Sequence, residues 1–176
     1  EEFAKANDLA AVTTRSPQSQ IETRGPRSVG VIKKRIFIVY GHDTTARNDL
    51  DLILRRVQVK PIILENIPGV GETLIERLES LTDANLACVL ITPDDVGAPA
   101  GSSDHLRPRA RQNVVLELGM VLSRLGRRRV AILVKDDNLE KPSDIAGLIY
   151  IPFKTNVSEA ANALGAALAS AGFDID

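Results

Sequence analysis

The sequence predicts an α/β fold: a flavodoxin-like three-layer sandwich around a five-stranded parallel sheet, probable order 2-1-3-4-5. Three observations lead there. Five short apolar runs recur between Arg35 and Ile151, each uninterrupted, as strands buried on both faces are. Segments with apolar residues at helical spacing lie between them, which implies parallel strands joined by right-handed crossovers. The units number five rather than the six of a Rossmann sheet.

Arg35–Tyr40 (RIFIVY) is the first strand. Thr44–Val57 follows as a helix, with Leu50, Ile53, Leu54 and Val57 on one face and Asp43 or Thr44 as N-cap. Pro61–Leu64 is the second strand, and the Gly/Pro-rich Asn66–Gly71 a loop. Glu72–Leu81 is a helix with Leu74, Ile75, Leu78 and Leu81 on one side. Leu86–Ile91 (LACVLI) is the third strand, and Thr92–Arg107 a long polar loop. Pro108 suits the first turn of a helix running to about Leu125, with Gly126 at its C-cap. Val130–Val134 and Leu148–Ile151 complete the sheet, and Val157–Ala171 is a closing helix. Residues 1–34, rich in Ser, Thr, Arg, Gln and Pro, read as a linker or the end of a preceding domain, with the compact domain at 35–176.

Composition excludes several classes. An apolar fraction of 44% fits a packed core, and no apolar run approaches the roughly 20 residues of a membrane span. A net charge of −1 gives no global basic field, so direct nucleic-acid binding is not expected. Cys88 is the single cysteine and lies inside an apolar run, which suits a buried, inert thiol in the reducing cytoplasm. The chain starts at Glu1 and its only methionine is Met120, so processing or a longer parent protein is expected.

In a sheet of this order, ligands bind beyond the carboxyl ends of the strands, where the first and third diverge. The loops concerned are Gly41–Arg47 and Thr92–Asn113. Gly41 permits close backbone approach, although for Gly41-His42-Asp43 taken alone a tight turn with Asp43 capping a helix is the readier explanation. His42 and His105 lack a third ligand at metal spacing, so no metal site is expected. Gly69-Val70-Gly71 follows the wrong strand for a dinucleotide fingerprint. Asp94 and Asp95 suit ribose or metal contacts, or ordinary turn chemistry. Arg107, Arg109 and Arg111 at a helix start oppose its dipole and point to an anion nearby, with pairing to Asp94, Asp95 or Asp104 as the alternative. Val114, Leu118, Val121 and Leu125 form the buried stripe of that helix. Glu117 falls on the flank of the stripe, and Asn113 lies one turn earlier on the same side.

Taken together, FIVYGHD, PIILE with GETLIERLE, LITPDDVG and RARQNVVLELG resemble the bacterial TIR-like domains of antiphage defence, over about Arg35 to Ile151. The resemblance implies an NAD⁺ nucleosidase whose essential glutamate, on the helix after the third strand, corresponds to Glu117. It implies NAD⁺ as substrate with no further cofactor, self-association through TIR–TIR contacts, and a sensor domain or partner responding to a cyclic nucleotide. Glu65–Gly71 would mediate assembly or gate the pocket. In such a site Arg109 and Arg111 would hold the pyrophosphate, His42, Asp43, Asp94 and Asp95 would contact ribose or amide groups, and Gly41, Arg47 and Asn113 would also bind the substrate. Tyr40 is the one aromatic near the cleft able to stack on a base. The rival readings are a non-enzymatic TIR interaction module, a nucleoside N-glycosidase, and a phosphoacceptor receiver. The receiver expects a second acid beside Asp43 and a lysine after the fifth strand, whereas Lys135 follows the fourth.

Overall fold

The computed structural model describes residues 35–63, 76, 84–102, 105–136, 138–140 and 148–175. All of them belong to the compact unit Lys33–Asp176. The expected linker at 1–34, the loop Glu65–Gly71, Asp104 and all of the helix Glu72–Leu81 but Glu76 lie outside the described residues.

Five parallel strands form the sheet: β1 (Arg35–Val39), β2 (Lys60–Ile63), β3 (Leu86–Ile91), β6 (Val130–Lys135) and β7 (Ile149–Phe153). Their order is β2-β1-β3-β6-β7, which is 2-1-3-4-5 once a separate two-stranded ribbon is set aside. Side chains alternate between faces. Ile36 and Ile38 of β1, with Cys88 and Leu90 of β3, face helix α1 (Thr44–Arg56) and the C-terminal helix α3 (Ala161–Ser170). Phe37 and Val39, with Val89 and Ile91, face helix α2 (Gln112–Leu125). Covering both faces is why the strands read as unbroken apolar runs, and all six residues of β3 are buried.

Among the described residues β2 and β7 are the edges, and each contains a proline: Pro61 opposite Ile36, and Pro152 opposite Val134. Proline lacks the amide donor of a strand and is tolerated where that donor would point away from the sheet. The closing helix begins with a 3₁₀ turn at Val157–Ala160 instead of running unbroken from Val157. Cys88 is fully buried, and desolvation pushes its thiol up to about 12, which makes it inert at neutral pH.

The connection after β3 departs from expectation. Asp95–Gly97 and Arg107–Arg109 form two short strands, β4 and β5, paired antiparallel. The expected loop Thr92–Arg107 therefore contains ordered ribbon, and the helix starts at Gln112 rather than Pro108. The residue before a proline favours extended backbone, so Arg107-Pro108 continues a strand more readily than it opens a helix. The Pro108 carbonyl accepts a hydrogen bond from Glu140, which ties the ribbon to the segment after β6. Gly126 ends α2 at φ 76°, as a C-cap glycine.

Candidate functional site at the carboxyl ends of the strands

The chain leaves β1 through Tyr40, Gly41, His42 and Asp43. Asp43 caps α1, its Oδ1 accepting the Ala46 amide at 2.8 Å. Its Oδ2 accepts from the Lys135 ammonium at 2.7 Å, so one carboxylate joins the start of α1 to the end of β6. Desolvation raises the Asp43 carboxyl, but the Ala46 amide, the Lys135 ammonium and the Thr45 amide outweigh it and hold the group below its ordinary value.

Asp94 performs the matching task after β3. Its Oδ1 accepts the His42 amide at 3.1 Å and its Oδ2 the Thr92 hydroxyl at 3.0 Å. Thr92 is itself buried. Gly41 sits so close that a Cβ there would overlap the Asp94 carboxylate, which is the physical reason for glycine. The loops after β1 and β3 are thus clamped to each other at the point where the sheet order reverses. His42 contributes its backbone to this clamp and keeps an exposed side chain.

Arg47, in the first turn of α1, lies with its guanidinium carbon 5.0 Å from the centroid of the Tyr40 ring, and its Nε is buried without a hydrogen-bond partner. That cation–π contact occupies the one aromatic ring expected to stack on a base.

The arginines are distributed differently from the expected helix start. Arg109 stands in β5 opposite Asp95, and its guanidinium lies across Gly97, where a Cβ would collide with it. The Arg109 Nε is buried without a hydrogen-bond partner. Arg111 is the N-cap residue of α2 and makes no capping bond. Among the described residues none of Arg107, Arg109 and Arg111 forms an ion pair with Asp94 or Asp95. The expected opposition of three cations to the helix dipole therefore reduces to Arg111 alone.

Asn113 is exposed in the first turn of α2. Glu117, expected on the flank of the buried stripe, lies inside it at 9% exposure. The wheel accounts for this: Glu117 is three residues after Val114 and four before Val121, so all three share the face turned to the sheet. Glu117 is the only charged side chain in the core among the described residues.

The structure thus brings Gly41, His42, Asp43 and Asp94 together, pairs Asp95 with Arg109 in the ribbon, and buries Glu117 in the helix that follows. Sequence reasoning missed Thr92 and Lys135 as members of the clamp. A lysine closing the apolar run Val130–Val134 was the available signal, since β6 ends at the same rim as β1 and β3. Among the described residues no group of three His, Cys, Asp or Glu side chains is placed to hold a metal ion. No helix among them is long and apolar enough to cross a membrane.

Comparison with known proteins places this arrangement in a family. Residues 35–155 match the family described as CAP12/Pycsar effector protein, TIR domain. The chain is 39% identical over 148 residues to Uncharacterized protein YuaY of Escherichia coli (strain K12), covering 82% of this chain and 49% of that one. It is 30% identical over 137 residues to Protein tirC of Dictyostelium discoideum, covering 73% and 68%. With the Pycsar effector protein XpPycTIR of Xanthomonas perforans it shares 40% identity over 126 residues, covering 68% of this chain and 40% of that one. The chain spans about half the length of YuaY and less of XpPycTIR. With the strand order, the clamped switch point and a match across nearly all of the compact unit, the chain belongs to the CAP12/Pycsar effector TIR-domain family.

Proposed function

We propose that this domain cleaves the bond between nicotinamide and ribose in NAD⁺, with Glu117 as the essential carboxylate, as part of a bacterial immune effector that depletes NAD⁺ in the cytoplasm. The observation that carries the reading is the burial of Glu117. Glu117 is a carboxylate on the sheet-facing stripe of its helix, held against the core where apolar residues otherwise stand, and ionisable groups set into such partly desolvated positions beside a cleft collect at functional sites. The helix in question directly follows the ribbon at the switch point.

The chemistry suits a single carboxylate. Nicotinamide leaves a cationic glycoside as a neutral molecule, taking the bonding pair, and needs no proton from an acid. What remains is an oxocarbenium-like ribose, which a nearby anion stabilises. Water adding at the anomeric carbon and losing a proton gives ADP-ribose. Arg109 and Arg111 hold the pyrophosphate in this reading. Gly41, His42, Asp43, Arg47, Asp94, Asp95 and Asn113 shape the ribose and amide contacts, Asp43 and Asp94 chiefly by fixing the loops.

Family membership supports activation by a cyclic nucleotide through a sensor outside the compact domain, with residues 1–34 as the connection. Exposed Leu116, at 55%, and Val115, at 40%, on α2 support self-association. The same two residues favour the second reading, an interaction module without catalysis. NAD⁺ loss at high protein concentration separates the two.

The decisive comparison is NAD⁺ consumption and thermal midpoint for wild type and Glu117→Gln under conditions that activate the wild type. Turnover should fall by about 100-fold or more, as when other transition-state charges are deleted. Because the side chain is buried, a stability loss on the order of 1–2 kcal/mol accompanies it, so assays belong well below the variant's midpoint. Activity retained within a few-fold in a folded variant overturns the role of Glu117.

A further inference from the structure

Beyond the clamp, the same rim of the sheet holds a cavity of about 520 Å³ between the ends of β3, β6 and β7, lined by Pro93, Lys135, Asp136, Asn138 and Lys154. The volume falls in the range of small-molecule sites. Its lining carries two lysines and one carboxylate, and the acids nearby are already engaged with backbone. Asp136 Oδ1 accepts the Asn138 amide at 3.0 Å. Glu159 accepts the amides of Lys154, Thr155 and Asn156, each at 2.9 Å. Those amides, from Asn156 first and then Lys154 and Thr155, outweigh desolvation and, with a smaller attraction from the Lys154 ammonium, hold the Glu159 carboxyl below its ordinary range.

The two lysines differ in commitment. Lys135 is paired with Asp43. Lys154 is exposed and, among the described residues, forms no close ion pair, its ammonium being only weakly attracted to Glu159. Beside them Asp136 holds φ at 77°, a conformation that L side chains rarely adopt, while its amide donates to the Phe153 carbonyl at 3.1 Å. Backbone held in this region outside glycine collects at ligand sites. The strained turn ties the end of β6, which carries Lys135, to the end of β7, which Lys154 follows.

We propose that this cavity is an anion subsite that takes a phosphoryl group of the nucleotide substrate, with Lys154 as its principal cation and Lys135 shared between the cavity and Asp43. This rests on the nucleotide-cleaving reading above and extends its cleft along the rim toward β7. The ammonium groups act as point charges on phosphate oxygens, and the Asn138 side chain adds a directional donor.

The test is calorimetric titration of the full chain with ADP and, separately, adenosine at fixed ionic strength. Lys154→Gln should weaken ADP binding about tenfold and leave adenosine binding unchanged, as expected for one lost charge-assisted contact to phosphate. Arg56→Gln, which removes an exposed cation at the far end of α1, should leave ADP affinity intact. Equal ADP affinity for wild type and Lys154→Gln overturns the subsite, as does equal weakening of adenosine, or failure of the wild type to bind ADP. ADP binding that depends on Lys154, in a wild type that consumes no NAD⁺ even at high protein concentration and with the activating signal supplied, upholds the subsite and overturns the cleavage reading.

Discussion

Asp43 uses both carboxylate oxygens, one for the Ala46 amide and one for the Lys135 ammonium. Its folded value is depressed, so the linkage has a definite sign. The stabilisation is present above the unfolded value of about 3.9 and is lost as pH falls through the folded one. Asp43→Asn keeps the capping oxygen and removes the ion pair. It should lower stability near neutral pH by about 1 kcal/mol, a modest amount because both side chains are partly exposed. Urea midpoints for wild type and variant should converge as pH drops below about 3.9, and a gap independent of pH would remove the ion pair from the account. The capping role of Asp43 was legible in the sequence because a cap is local. Its partner, 92 residues away, was not. Finding it requires knowing that β6 ends at the same rim as β1, which is a property of the topology and not of either segment. Glu117 was half legible: the spacing placed it near the sheet-facing stripe, but how completely that stripe is covered depends on packing.

Elements with a long helical stripe or an unbroken apolar run were read correctly: α1, α2 and the five strands of the sheet within a few residues. The ribbon was not, because its three-residue strands DVG and RPR carry no apolar run and Pro108 fits a helix start as well as a strand. Its discovery changes what α2 lacks. The helix opens at Gln112 with Arg111 as an N-cap that makes no side-chain bond, and no acid in its first turn. The N-cap backbone, at φ −55° and ψ 140°, already suits an aspartate. Arg111→Asp should therefore stabilise the fold by about 1 kcal/mol, through a cap and a favourable dipole. If Arg111 holds pyrophosphate, the same variant weakens NAD⁺ use, and a higher melting temperature with a higher KM is the expected pair of results. A higher melting temperature with unchanged kinetics would remove Arg111 from the substrate site and leave Arg109 and the rim lysines.

At the scale of the whole molecule, strand order followed from apolar runs, crossover handedness and the number of units, all properties of the sequence. Self-association is the part of the proposal that belongs here. Specific NAD⁺ turnover should rise with protein concentration, tracking the oligomer fraction measured by light scattering, and Leu116→Asp should suppress both together. Specific activity constant across a dilution series that dissociates the oligomer would sink that mechanism. The two edge prolines then restrict what form such an oligomer takes. A neighbouring copy that tried to continue the sheet would meet, at Pro61 on one side and Pro152 on the other, a break in the row of amide donors that strand addition requires. Growth by pooling backbone hydrogen bonds, the route to fibrils, is disfavoured at both margins. An oligomer of the kind proposed would instead be built through side chains on helices and loops, contacts that form and separate without any strand being added or removed.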